Sequence, residues 1–303
     1  MKKFINRLVF FWGLVVLTDI LCGLCFDFLF AHAKSGSTER VVHIAEQTNE
    51  DILIFGSSRA VHHYDATMIE KALGKSCYNC GFDGQGILLF YGLYQKISER
   101  YSPEVIIYDI QPNFDYLKGD NIKYLKTLRP YYWDKEIRSY ISDVDIIEAV
   151  KDVSSMYRYN GISVQTLCDL SKARVNNIKG YQPSESKMVK EPVVDDNPFV
   201  PNEKLDTVKI NYMKKFIREC KENGTRLIFV ISPLYKRTNS IEYEPIKKIA
   251  KANGVPFIDN TSFYGHNTEM NYFSDAVHLT KEGASVYTER FIEQIKPFVE
   301  ERK

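Results

Sequence analysis

Two groups of residues near opposite ends of the chain hold side chains that can attack a carbonyl or carry a proton. The first is Phe55-Gly56-Ser57-Ser58-Arg59, directly after the apolar run Asp51 to Phe55 and before a helical pattern. A serine at such a strand-to-helix junction exposes its hydroxyl where helix-terminal N–H groups can stabilise an anion. Gly-Ser-Ser is equally the composition of a plain turn or N-cap. The second group is Phe273-Ser274-Asp275-Ala276-Val277-His278-Leu279-Thr280. An Asp and a His three residues apart in a turn can place a carboxylate on one imidazole nitrogen, leaving the other free to take a proton from a serine. Taken alone, the pattern also fits a satisfied surface pair. Between them lie Asn79-Cys80-Gly81-Phe82-Asp83-Gly84-Gln85-Gly86 and Ile110-Gln111-Pro112-Asn113. There a Gly84 N–H and the Asn113 side chain can face a developing oxyanion, although turn chemistry alone explains glycines and Pro-Asn.

Something must carry these groups to one place. Asp51–Phe55, Val105–Tyr108 and Leu227–Ile231 are continuous apolar runs, with shorter ones near Ser76–Asn79 and Pro256–Ile258. Such runs suit strands covered on both faces. Helical patterns fill the intervals at 66–73, 87–100, 204–223, 244–253 and 281–300, several closed by a glycine as at Gly224 and Gly254. Strand alternating with helix predicts a three-layer α/β/α sandwich with a mostly parallel five-stranded sheet, flavodoxin-like in style, with ligands beyond the carboxyl ends of the strands. Residues from about 114 to 202 interrupt the rhythm as a Tyr- and Lys-rich helical insertion with a Pro/Asn/Asp-rich loop at 181–201. Such an insertion either contacts substrate or partner, or serves as a structural cap.

The order of these blocks resembles the SGNH/GDSL hydrolase superfamily. There a nucleophilic serine follows the first strand, a glycine the second and an asparagine the third, with D-x-x-H near the C-terminus. The resemblance covers about residues 50 to 297. It places the nucleophile on Ser58, with Ser57 standing where the family's motif has aspartate, and makes Ser58, Asp275 and His278 the catalytic triad. It assigns the oxyanion hole to Ser58, Gly84 and Asn113, the last in Gln111-Pro112-Asn113-Phe114 where the family has Gly-x-Asn-Asp. The Gly-Ser-Ser-Arg start, the apolar N-terminus and the insertion look most like the membrane-anchored branch that includes DltD-like and polysaccharide O-acetylation proteins. That likeness implies an esterase or O-acyltransferase acting on acylated cell-envelope or extracellular polysaccharide, or on small esters. A membrane-bound O-acyltransferase is then a possible partner. A catalytically idle scaffold that binds surface glycan or an envelope protein is the rival reading. Arg59 is read as a contact for an anionic substrate group.

The remaining composition narrows the classes. The 303 residues carry a formal net charge of +1, too little for a field that gathers nucleic acid. Leu8 to Phe30 is an apolar run long enough to cross a bilayer. Its two acids, Asp19 and Asp27, each cost about 2.5 to 3.5 kcal/mol at mid-helix, against about 0.3 to 0.6 returned by each of fifteen Leu, Val, Ile and Phe residues. Lys2, Lys3 and Arg7 put the N-terminus on the cytoplasmic side and the large domain outside. Cleavage after Ala31-His32-Ala33, as in a signal peptide, is the competing reading. Asp19 is expected either to meet a partner helix or to be tolerated. The organisation is thus an anchor at 1–35, a linker at 36–49 and the α/β domain at 50–303. Six cysteines, including Cys77 and Cys80, lack zinc-ligand spacing, and neither a metal nor an organic cofactor is expected.

Overall fold

A computed structural model of the chain describes residues 1–171, 178–194, 204–264 and 269–300. Part of the loop expected at 181–201 lies outside the described residues. In chain order the helices begin with α1 (Lys2–Ala31), α2 (Gly36–Val42), α3 (Ser58–His63), α4 (Ala66–Leu73), α5 (Ile87–Ser98) and α6 (Pro112–Asp115). They continue with α7 (Ile122–Leu125), α8 (Lys135–Val144), α9 (Ile146–Lys151), α10 (Ser155–Arg158), α11 (Ser163–Cys168), α12 (Thr207–Glu222), α13 (Glu244–Asn253) and α14 (Lys281–Glu300). The strands are β1 (Ile52–Gly56), β2 (Cys77–Asn79), β3 (Val105–Asp109), β4 (Arg226–Ile231) and β5 (Phe257–Asp259). The chain divides into two compact units, one of residues 1–47 with 120–174 and one of 48–119 with 175–303.

The larger unit is the predicted α/β sandwich. Its five strands run parallel in the order β2-β1-β3-β4-β5. The three central strands are buried on both faces, as their unbroken apolar runs require. Side chains alternate across the sheet. Ile52, Ile54, Val105, Ile107 and Ile228 face a core with Tyr64, Tyr287 and Phe291 from α4's neighbour segment and α14. Phe55, Tyr108 and Phe229 belong to the other face, where Phe55 stacks on Phe90 of α5 and Phe216 of α12. The order steps from β1 outward to β2, then back across β1 to β3. In open α/β sheets such a reversal marks the carboxyl edge between the two strands, here β1 and β3, as the place for a ligand.

The smaller unit is helical. Residues 36–47, read from sequence as a linker, fold as α2 followed by a π-helical turn, His43–Gln47. Asp169 anchors α2 by accepting the Thr38 N–H at 2.9 Å. The sequence expectation for Asp19 has an answer inside the chain. Its carboxylate accepts from the Ser154 hydroxyl at 2.6 Å and from the Ser155 and Met156 N–H groups, each at 2.9 Å, capping the N-terminus of α10. Asp27 accepts from the Tyr159 hydroxyl at 2.6 Å. Among the described residues α1 is the one helix long and apolar enough to cross a membrane.

Gly56 closes β1 in a conformation open to glycine, with φ at 137°. A Cβ there would lie 2.7 Å from the Asp109 carbonyl oxygen and 3.0 Å from the Ala60 methyl. Gly56→Ala therefore adds backbone strain to a clash with main chain, costing about 2 kcal/mol or more. The thermal unfolding midpoint should fall by about 4 to 8 °C. A shift below about one degree would show that β1 and β3 can separate freely.

Candidate active site

Ser58 opens α3 immediately after the extended Ser57, so the turn at Gly56 presents its half-buried side chain at the carboxyl edge of β1. His278 arrives from the segment between β5 and α14. There Phe273 bridges Leu279, and the Ser274 N–H donates to the His278 carbonyl at 2.9 Å, closing a tight loop. Asp275 shapes that loop from within, because its Oδ1 accepts the N–H groups of Val277 at 2.8 Å and His278 at 2.9 Å. Its Oδ2 then lies 2.7 Å from His278 Nδ1, and His278 Nε2 lies 2.7 Å from Ser58 Oγ. Burial works against the Asp275 charge, but the imidazole and the two N–H groups outweigh it and hold the carboxyl below its usual range. An ionised carboxylate on Nδ1 leaves Nε2 as the proton acceptor facing a hydroxyl.

Three residues that sequence reasoning did not assign hold this geometry. His63, at the other end of α3, accepts the Leu279 N–H on Nε2 at 3.0 Å, so its Nδ1 carries the proton donated to Ser232 Oγ at 2.9 Å. The helix bearing the serine is thereby fastened to the loop bearing the histidine. Asn79 donates to the Ala60 carbonyl at 2.6 Å and the Tyr64 carbonyl at 3.0 Å, and its Oδ1 accepts the Gly81 N–H at 3.0 Å. It ties α3 to the segment that follows β2. Asp109, the last residue of β3, accepts from Arg59 at 2.8 Å and from the Tyr64 hydroxyl at 2.7 Å. A charge closing an apolar strand was the visible signal for Asp109; nothing in the local pattern marks His63.

The expectation for Arg59 is corrected by its surroundings. Its side chain is 1% exposed, pairs with Asp109 and donates to the Tyr243 hydroxyl at 3.1 Å, so it cannot greet a substrate anion. Burial opposes its charge, yet Asp109 more than compensates and holds the guanidinium ionised. Gly84 donates its N–H to the hydroxyl of Ser57, the residue before Ser58, at 3.1 Å. Asn113 sits exposed on α6 and accepts from Lys209 Nζ on its carbonyl at 3.0 Å. Among the described residues its side chain makes no hydrogen bond to Ser58, His278 or Asp275. Cys77 and Cys80 are buried and unbonded to each other, and burial raises the Cys77 thiol well above its usual range.

No known family profile matches the sequence, and no curated protein does. Solved structures are similar in arrangement. A protein of Desulfitobacterium hafniense DCB-2 assigned to the lipolytic G-D-S-L family is 11% identical over 81% of this chain and 99% of its own, with a TM-score of 0.41. A family two carbohydrate esterase of Clostridium thermocellum, solved with cellohexaose, is 10% identical over 82% of this chain and 64% of its own, at 0.39. A GDSL-like lipase of Bacteroides thetaiotaomicron VPI-5482 is 14% identical over 80% and 87%, at 0.35. Likenesses this distant decide nothing about chemistry, which rests on the geometry above.

Burial, then the neighbouring His278 and Arg59, keeps the His63 imidazole neutral far below its ordinary titration range. In the unfolded chain it takes up a proton near pH 6.5. The stability it contributes is therefore complete above about pH 6.5 and lost as the pH falls below that, by up to about 1.4 kcal/mol per pH unit. In His63→Gln, whose side chain does not titrate, unfolding midpoints in urea should fall less steeply between about pH 7 and 5. Parallel pH profiles for the two proteins would remove His63 from this role.

Proposed function

We propose that the chain is an SGNH/GDSL-type serine esterase or O-acyltransferase held at a membrane by α1, with Ser58, His278 and Asp275 as its triad. The observation that carries this reading is the unbroken chain of 2.7 Å contacts from Asp275 through His278 to Ser58 Oγ. His278 Nε2 takes the Ser58 proton as Oγ attacks the ester carbonyl, and Asp275 stabilises the imidazolium. The tetrahedral oxyanion falls to the Ser58 N–H at the start of α3 and to the Gly84 N–H, which turns from the adjacent Ser57 hydroxyl. His278 then returns the proton to the departing alcohol oxygen. Water or a polymer hydroxyl, deprotonated by the same nitrogen, releases the acyl group from Ser58.

The substrate class follows from the sequence resemblance: O-acyl groups of cell-envelope or extracellular polysaccharide. Lys2, Lys3 and Arg7 before the span favour a cytoplasmic N-terminus and an outward α/β unit. In the transfer form of the same reading, a membrane-bound O-acyltransferase supplies the acyl group; an idle, glycan-binding scaffold requires Ser58 to be inert.

Ser58→Ala should lower turnover of an activated acetate ester by about a thousandfold or more, while Ser57→Ala keeps activity within about tenfold. Equal loss in both folded variants would leave no reason to favour Ser58. Release of acetate to water, compared with its transfer to a sugar acceptor, distinguishes esterase from transferase.

Apolar burial is not screened by salt. The full-length protein should stay with the membrane pellet after high-salt and alkaline washing. Recovery of a mature chain beginning at Lys34 in the supernatant would replace the anchor by a cleaved signal peptide.

A further inference from the structure

Helices α9 to α11 are built inside out. On α9 the side chains of Ile146, Ile147 and Val150 face outward, Ile147 at 63% exposure, while Glu148 is buried. On α10 Met156 faces outward and Arg158 inward; on α11 Val164 is 72% exposed and Leu167 50%, with Thr166 buried. Their buried side holds an ionic cluster. Arg129 pairs with Glu148 and lies 3.3 Å from Asp152, and Arg158 donates to the Asp152 carbonyl at 3.0 Å. In water this arrangement is the reverse of what burial favours, and an exposed apolar patch of this kind marks a partner or a membrane.

The position of α1 decides between them. If the apolar layer begins at Leu8, after Arg7, its thickness of about 30 Å takes about 20 residues at about 1.5 Å each and ends near Asp27. Asp19 then lies about 16 Å inside that layer. Ser154, Ser155 and Met156 are hydrogen-bonded to it and must lie at the same depth. A Cβ on Gly23 would be 2.3 Å from the Ser155 side chain, so α10 is packed directly on α1 there. Tyr159, bonded to Asp27 and stacked on Phe26, falls at the far boundary, where tyrosines favour the interface. The exposed apolar side chains of α9–α11 thus continue the exposed apolar surface of α1. Lys151, the charged side chain on the outer part of α9, donates its ammonium to Glu148 at 2.8 Å, so its charge is answered within the unit.

We propose that α9, α10 and α11 are immersed in the lipid bilayer, in the leaflet nearer the C-terminal end of α1, as a collar around that helix. The inference rests on α1 spanning the membrane, as read above. The occupant of the apolar face is the acyl-chain region of lipid.

The test uses the full-length protein in phosphatidylcholine vesicles, with and without bromine on the acyl chains. Trp133→Phe leaves Trp12 to report on α1. In a Trp12→Phe, Trp133→Phe background, Val164→Trp and Val150→Trp report on α11 and α9. All three probes should lose emission about twofold in brominated vesicles and resist iodide in the aqueous phase. The substituted positions are exposed, and circular dichroism checks that each variant keeps its helices. Quenching of Trp12 by bromine, with iodide alone quenching the probes at 150 and 164, would overturn the collar while leaving the span intact. Failure of Trp12 to respond to bromine would overturn the span and the collar with it. Probes at 150 and 164 silent to both quenchers would mean that protein, a second copy or a partner, covers the face, which also overturns the proposal.

Discussion

The guanidinium of Arg59 and the carboxylate of Asp109 meet 2.8 Å apart where neither side chain reaches water, and α3 cannot shift without parting them. Such a pair adds little net stability, but separating it strands a charge in the interior, at about 3 to 5 kcal/mol. Three tyrosines surround it. Tyr64 binds the second Asp109 oxygen, Tyr243 receives an Arg59 N–H, and Tyr287 reaches the Tyr64 hydroxyl at 3.4 Å. Arg59 follows Ser58 directly, so the ion pair sets the rotation of α3 and hence the direction of the serine hydroxyl. His63 then locks the opposite end of the same short helix to the histidine loop. Ser58 and His278 are themselves partly exposed, and their placement is enforced by charged and polar neighbours that are not.

Much of this architecture was legible in the sequence because it rests on local patterns. Continuous apolar runs marked the strands, and α4, α13 and α14 begin and end where periodicity and terminal glycines placed them. Asp275 and His278 were candidates because their three-residue spacing allows a carboxylate on an imidazole, and the order of the other blocks singled that pair out. Arg59 was misread for an equally physical reason: an arginine in a first helical turn ordinarily lies in water, and its partner stands on a different strand. His63 was invisible because its role depends on Leu279, which only the tertiary fold brings near. Residues 36–47 looked like a polar linker, yet Thr38 and Arg40 are buried and the segment is helical. Hydrophilic composition gave no hint of a polar interior.

The two units illustrate one rule applied in opposite senses. In the α/β unit, aliphatic strands are sealed between helices and the charges that remain inside are paired. In the helical unit, Arg129, Arg158, Glu148 and Asp152 are buried along with apolar residues such as Leu128 and Ile141, while isoleucine, valine and leucine side chains of α9 and α11 are exposed. Burying polar groups is tolerable where each finds a partner, and exposing apolar ones is tolerable where the surroundings are not water. Reading a helix face therefore requires knowing the solvent first.

The carboxylate of Asp19 is satisfied by residues that follow it by 135 to 137 positions. During synthesis at about 5 to 20 residues per second, α1 exists for on the order of ten seconds before Ser154 has been made. Throughout that interval the acid is without the partners it has in the folded chain, and the first three strands emerge before its donors do. The helical unit is thus assembled last-to-first: its earliest element waits, incomplete, for a segment encoded near the middle of the chain. A ribosome stalled anywhere between β3 and α10 leaves a nascent chain whose strands β1 to β3 are all present and whose first helix still lacks the donors that Asp19 bonds in the folded chain.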